Sequence, residues 1–201
     1  MALNYANNQS LSAITSLPAS ISGGALTLLQ TQTASSSATI DFTSNIDSTY
    51  DAYMFKFYDI HPATDGTGLQ FNMSTDGGSN YNVTKTSTAF RSSHDEADTT
   101  TVLEYRTGED LAQSTGFQNL TNFIGNGNDE SLSGSMKLFN PNSSTFVKHF
   151  ISTVNIYQLN NNSQQWNIAG YGNTTSSIDA VRFQMASGNI DSGVIKLYGI
   201  S

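Results

Sequence analysis

Short runs of apolar, aromatic and β-branched residues recur along this chain with turn chemistry between them, and nowhere does an amphipathic helical period set in. The runs are Leu26 to Thr33, Thr39 to Thr43, Ala52 to Ile60, Gly68 to Ser74, Thr99 to Tyr105, Ser135 to Phe139, Thr145 to Tyr157, Trp166 to Tyr171, Ala180 to Met185 and Val194 to Ile200. Between them stand Asp65-Gly66, Asp76-Gly77-Gly78, Gly125-Asn126-Gly127-Asn128, Asn140-Pro141-Asn142, Asn160-Asn161-Asn162 and Ser187-Gly188-Asn189, residues that accept the backbone of tight turns. Short strands without intervening helices predict an all-β fold, a sandwich or a barrel.

Composition decides whether such a chain folds. Ser, Thr and Asn make up about a third of the 201 residues, which suits either disorder or long polar loops. The 11 Phe, 9 Tyr and 1 Trp favour a packed core, since disordered chains are poor in aromatics. The length suits one domain, read here as residues 23–201, preceded by an arm at residues 1–22. With no cysteine, disulfides and thiolate metal sites are excluded. The 8 basic residues are scattered and the net charge is −8, so no nucleic-acid partner is expected. No apolar run reaches the ~18 residues of a membrane span, and no membrane partner or Sec export signal is expected.

Three runs share one pattern: Phe55-Lys56-Phe57-Tyr58, Met136-Lys137-Leu138-Phe139 and Ile195-Lys196-Leu197-Tyr198. On a strand the flanking apolar residues face the core, which leaves each lysine and its aromatic neighbour on the outer face. Such strips could serve an interface or a sugar-binding face, but lysine stems lying over neighbouring rings on solvated strands explain them better. The third run closes the chain, with Ser192-Gly193 expected as the turn before it. A strand needed by the core is a poor tether, so attachment falls to the other terminus. There Leu3, Tyr5, Leu11, Ile14, Leu17 and Ile21 are spaced apolar anchors among polar residues, with Gly23-Gly24 as a hinge, a composition that suits a disordered terminus and equally an irregular arm that binds a partner.

Candidates for chemistry are few. His94-Asp95-Glu96-Ala97-Asp98 could bind a hard cation or supply an acid and a base for polysaccharide cleavage, but a solvated acidic loop explains it better. The Asp76 to Asn80 and Gly125 to Glu130 loops lack the acidic alternation of a helix-flanked calcium loop and read as turns. No nucleophile elbow or phosphate-binding glycine fingerprint occurs, so no catalytic residue, cofactor or metal is expected. Tyr157, Trp166 and Tyr171 could stack on sugar rings of a host-surface glycan, although a lone Trp more often serves a core.

The leader ANNQSLSAITSLPASISGGALTLLQTQTASSSATIDFT, the central IDSTYDAYMFKFYDIHPATDGTGLQFNMSTDGGSNY and the closing IDAVRFQMASGNIDSGVIKLYGIS together resemble virion structural proteins of tailed bacteriophages, particularly marine and cyanobacterial ones. The closing run Ser192-Gly193-Val194-Ile195-Lys196-Leu197-Tyr198-Gly199-Ile200 carries much of this resemblance, and Phe139 to Ile151 fits the same setting. The resemblance implies an antiparallel β-sandwich of jelly-roll type, a non-enzymatic tail- or appendage-associated role, and a virion location after assembly in the host cytoplasm. It further implies partners among other phage virion proteins and a homo-oligomer, with a trimer as one option. A capsid surface decoration protein, or a carbohydrate- or receptor-binding module at the particle surface, is the alternative.

Overall fold

The computed structural model describes residues 26–200, and the arm residues Leu3, Tyr5, Leu11, Ile14, Leu17 and Ile21 lie outside them. Among the described residues there are 12 strands and no helix: β1 (Leu26–Ser37), β2 (Ile40–Phe42), β3 (Ala52–Pro62), β4 (Leu69–Ser74), β5 (Lys85–Asp95), β6 (Thr101–Tyr105), β7 (Gln118–Asn119), β8 (Leu132–Phe139), β9 (Lys148–Gln158), β10 (Asn162–Gly172), β11 (Ala180–Met185) and β12 (Ile190–Ile200). An 8-stranded sheet runs β1-β12-β3-β8-β9-β10-β5-β6, and a 4-stranded sheet runs β2-β11-β4-β7. Both are antiparallel, and they form the expected sandwich-like arrangement.

The connectivity has an inner order. β1 pairs with β12, β2 with β11, β3 with β8 and β4 with β7, so the first half of the chain is answered in reverse by the second. Successive pairs alternate between the two sheets. Two hairpins interrupt this scheme, β5–β6 after β4 and β9–β10 after β8, and they pair with each other to widen the larger sheet.

Alternation along the strands fills the space between the sheets. On β9, Phe150, Ser152, Val154 and Ile156 are buried while His149, Ile151, Thr153 and Asn155 are exposed. Phe183 of β11 centres the aromatic core, with ring centroids 5.1 Å from Phe55, 5.3 Å from Phe57 and 6.2 Å from Phe42, all near edge-to-face. That arrangement adds to the area term, each buried ring contributing roughly 2–3 kcal/mol. Arg182 clamps β11 to β2 through a bidentate pair with Asp41 (2.7 and 2.6 Å) and stacks over the Tyr81 ring at 4.2 Å.

The sequence pattern misplaces some features. β5, reading KTSTAFRSSHD, looks like a polar connection but is 11 residues of strand, because its Ser and Thr lie on a ladder shared with β10 and β6. Two-residue β7 is too short to announce itself. Ser192-Gly193 is no turn: β12 already begins at Ile190, and these residues form a bulge where the register against β3 shifts, with Gly193 at φ 118° opposite Asp59 at φ 49°. The turn lies earlier, at Gly188 with φ 73°.

Candidate functional site

The outer face of the eight-stranded sheet is the largest surface that strand alternation leaves without cover from the four-stranded sheet. All three lysine-plus-aromatic strips lie on it, on the neighbouring strands β12, β3 and β8. Lys196 and Lys56 stand directly opposite each other in the β12–β3 register, a like-charge pair that would ordinarily repel. Each turns away diagonally: Lys56 Nζ lies 5.3 Å from the centre of the Tyr198 ring and Lys196 Nζ lies 5.2 Å from that of Tyr58. The crossed cation–π contacts account for two of the three motifs, each ring attracting the lysine of the adjacent strand through its negative face.

Beyond the lysines, towards the end of the sheet where β12 finishes and β1 begins, the face becomes apolar. Register places Leu28 against Tyr198, Tyr198 against Met54, Met54 against Lys137 and Lys137 against Ile151. Ile151 in turn faces Ala169, and Ala169 faces Thr88. One row further out, Leu26 faces Ile200, Ile200 faces Ala52 and Ala52 faces Phe139. Together these rows make a largely apolar band that starts at β1, is interrupted by Lys137 and ends on Thr88 of β5, its outer row spanning four strands from β1 to β8. Leu28 and Ile151 are each about half exposed, at 53% and 51%. Phe146, in the loop leading into β9, is 68% exposed at the same end. Tyr171, His149, Ile151, Ala169 and Thr86 line a depression of about 420 Å³ within the band.

The residues proposed for glycan contact do not converge. Trp166 has no exposed surface; its Nε1 donates to Gln164 Oε1 at 3.1 Å and Arg91 lies over its ring at 5.5 Å, so it belongs to the core and is withdrawn from the contact set. Arg91 is held in turn by Glu104, whose carboxyl lies below its ordinary range chiefly through that hydrogen bond. Tyr157 and Tyr171 do reach the outer face, but at opposite ends of the β9–β10 hairpin, where Tyr157 faces Ser163 and Tyr171 faces His149. Eight strand positions separate these pairs, ~27 Å. Tyr157 lines its own depression with His94, Asp95, Glu96, Asn155, Ile156 and Ser163.

The acidic loops are occupied by their own turns. Asp95 accepts from the Thr99 and Thr100 amides (both 2.9 Å) and from Thr99 Oγ1, while His94 Nε2 lies 3.1 Å from Asp98. Asp76 accepts from the Asn80 side chain and amide and from Ser74 Oγ, which holds its carboxyl down at about 2. Glu130 accepts from the Gly127 amide across the other loop. Among the described residues no group of three or more His, Asp or Glu side chains is arranged to hold a metal ion.

A buried polar layer escaped the sequence reading. Lys85 and Lys148 both face Gly172 across the ladder, and both are fully buried. Lys85 Nζ donates to Asn72 Oδ1 (2.5 Å) and the Val83 carbonyl (2.8 Å); Lys148 Nζ donates to the carbonyls of Ser143 and Phe146. Burial pushes the Lys85 ammonium down to about 7 and lowers Lys148 as well. The phase of Lys85 with buried Ser87 and Ala89 was the available signal. Comparison with protein-family models, curated proteins and solved structures returned no match to this chain.

Proposed function

We propose that this chain is a non-enzymatic structural protein of a tailed-phage virion, a tail- or appendage-associated component docked through its N-terminal arm, residues 1–22. The observation that carries this reading is the apolar band on the outer face of the larger sheet. Contiguous apolar surface of that extent suits a protein–protein contact, and a subunit built for assembly keeps such a face for its neighbours. The resemblance of the leader and of the closing SGVIKLYGI run supplies the virion setting.

The fold is in keeping with this. We assign the sandwich to the jelly-roll class, because four antiparallel pairs that alternate between two sheets describe a long ribbon rolled into a double layer. The β5–β6 and β9–β10 hairpins are then insertions. Jelly rolls serve in viral capsids and in lectins, so the class agrees with the reading without choosing among addresses on the particle.

Deleting residues 1–22 tests the proposal. The shortened chain should be soluble and folded, and should no longer join particles; normal incorporation would defeat the arm reading. Electron microscopy of the intact particle separates a tail component from a capsid decoration protein. A second reading, a glycan-binding module, is favoured by the depression around Tyr157, where a ring sits beside amide, hydroxyl and carboxylate groups. Binding on a glycan array that is lost in Tyr157→Ala would establish it.

A further inference from the structure

The apolar band has a shape, a polarity and a position. Its inner row crosses seven strands and its outer row four, so it is ~34 Å long and ~14 Å deep over the four strands from β1 to β8, at the usual strand and residue spacings. A globular partner that makes a stable complex covers ~800 Å² of each surface, more than this strip offers, whereas a single extended segment would cover it. The strip is also nearly free of charge, with Lys137 alone inside it and the lysine pair Lys56–Lys196 one row away.

One segment of this chain fits those terms. Residues 1–25 contain no Asp, Glu, Lys, Arg or His, in a chain that has 24 acidic and basic residues in all. Their apolar anchors Leu11, Ile14, Leu17 and Ile21 cover ten residue steps, ~33 Å if extended, which is the length of the strip. The segment joins β1 at Leu26, the corner of the band itself. The Leu26 end of β1 itself points off the end of the sheet and away from the band, which leaves the band open to the segment of another copy.

We infer that the apolar band is the receptor for the N-terminal segment, residues 1–22, of a second copy of this chain, so that copies link by exchanging arms. This rests on the reading that the arm is an attachment device, and adds the surface it attaches to and the identity of one partner. Ile151, Leu28 and Phe139 would meet the arm's anchors. Leu103, on β6 beyond the band, would not, although it is 78% exposed on the same face.

The test uses the full chain, a deletion of residues 1–22 and the band variant Leu28→Asp/Ile151→Asp, each compared by sedimentation and native mass spectrometry, with circular dichroism confirming the β fold. The full chain should associate. The deletion and the band variant should each weaken association at least roughly tenfold, while Leu103→Asp should leave it unchanged. Mixing the deletion with the band variant should restore complexes that stop at one copy of each, because one supplies the band and the other the arm. A monomeric full chain, an oligomer that survives the deletion, or a mixture that stays apart would each overturn the inference. So would a deletion that lowers the melting temperature of a chain already monomeric, since the arm would then lie on its own copy. The arm reading itself fails separately, through particles that incorporate the deletion normally; a monomeric chain that enters particles only with its arm overturns the sister-copy assignment and leaves that reading standing.

Discussion

Lys85 is the residue whose setting departs furthest from what its type prefers. Its ammonium is buried with an amide oxygen and a carbonyl as partners, and no ion pair involving Lys85 occurs among the described residues. Desolvation disfavours the charged form, and the folded value of about 7 lies below the 10.5 of a free lysine. The sign follows from proton counting. Below pH 7 both states hold the proton and the folded state carries the full cost of the buried charge. Between about 7 and 10.5 the folded state has lost the proton while the unfolded state keeps it, so stability rises with pH across that window, by less than ~1.4 kcal/mol per pH unit. The urea midpoint should therefore climb from pH 7 to pH 9 in the native chain relative to Lys85→Met; parallel curves would refute this. The alternation of KTSTAF already puts Lys85 in phase with Ala89, but a lysine in phase with a core is usually discounted in favour of solvent, and only its partners Asn72 and the Val83 carbonyl make the buried position tenable.

At the scale of the element, the bulge between β3 and β12 shows how one glycine sets the register of a strand pair. Gly193 sits at φ 118°, and a Cβ there would stand 2.6 Å from the Asp59 carbonyl and 2.8 Å from Ile60 Cα. Gly193→Val should accordingly cost about 1–3 kcal/mol, through strain together with that clash, and a shift of the urea midpoint measures it. A midpoint unchanged within error would mean that the strand slips to another register without penalty. The strands themselves were largely readable, because β3, β8, β9, β11 and β12 combine alternation with bulky apolar side chains. β5 was not, since Ser and Thr serve a ladder as well as they serve a loop and only pairing on both sides distinguishes the two.

For the whole molecule, the last strand is an interior strand of its sheet rather than an edge. β12 lies between β1 and β3, so removing Val194 to Ser201 deprives both of a partner and opens the core at Ile195 and Leu197. That deletion should abolish soluble, cooperatively melting protein, whereas replacing the Glu96–Thr100 loop by a short turn should leave the melt nearly unchanged. A soluble deletion with an intact melt would show the two-sheet body to be stable without its closing pair. Pairing on both sides fits the division of labour proposed above, in which β12 completes the core and the N-terminal arm makes attachments.

Period and composition were enough to determine an all-β chain, its main strands and the inward and outward faces of the three lysine motifs, because side-chain alternation is a local property of each strand. They also marked Trp166 as an ambiguous residue, which a buried partner in Gln164 resolves. What only the tertiary structure decided is which strands are neighbours: that three similar motifs lie side by side, that Tyr157 and Tyr171 stand far apart, and that single apolar residues from several strands line up into one band. Leu26, Leu28, Phe139 and Ile151 are each an ordinary exposed apolar residue in their own strand. Register between segments far apart in the chain gathers them, and register depends on the packing of the whole sandwich rather than on any one segment.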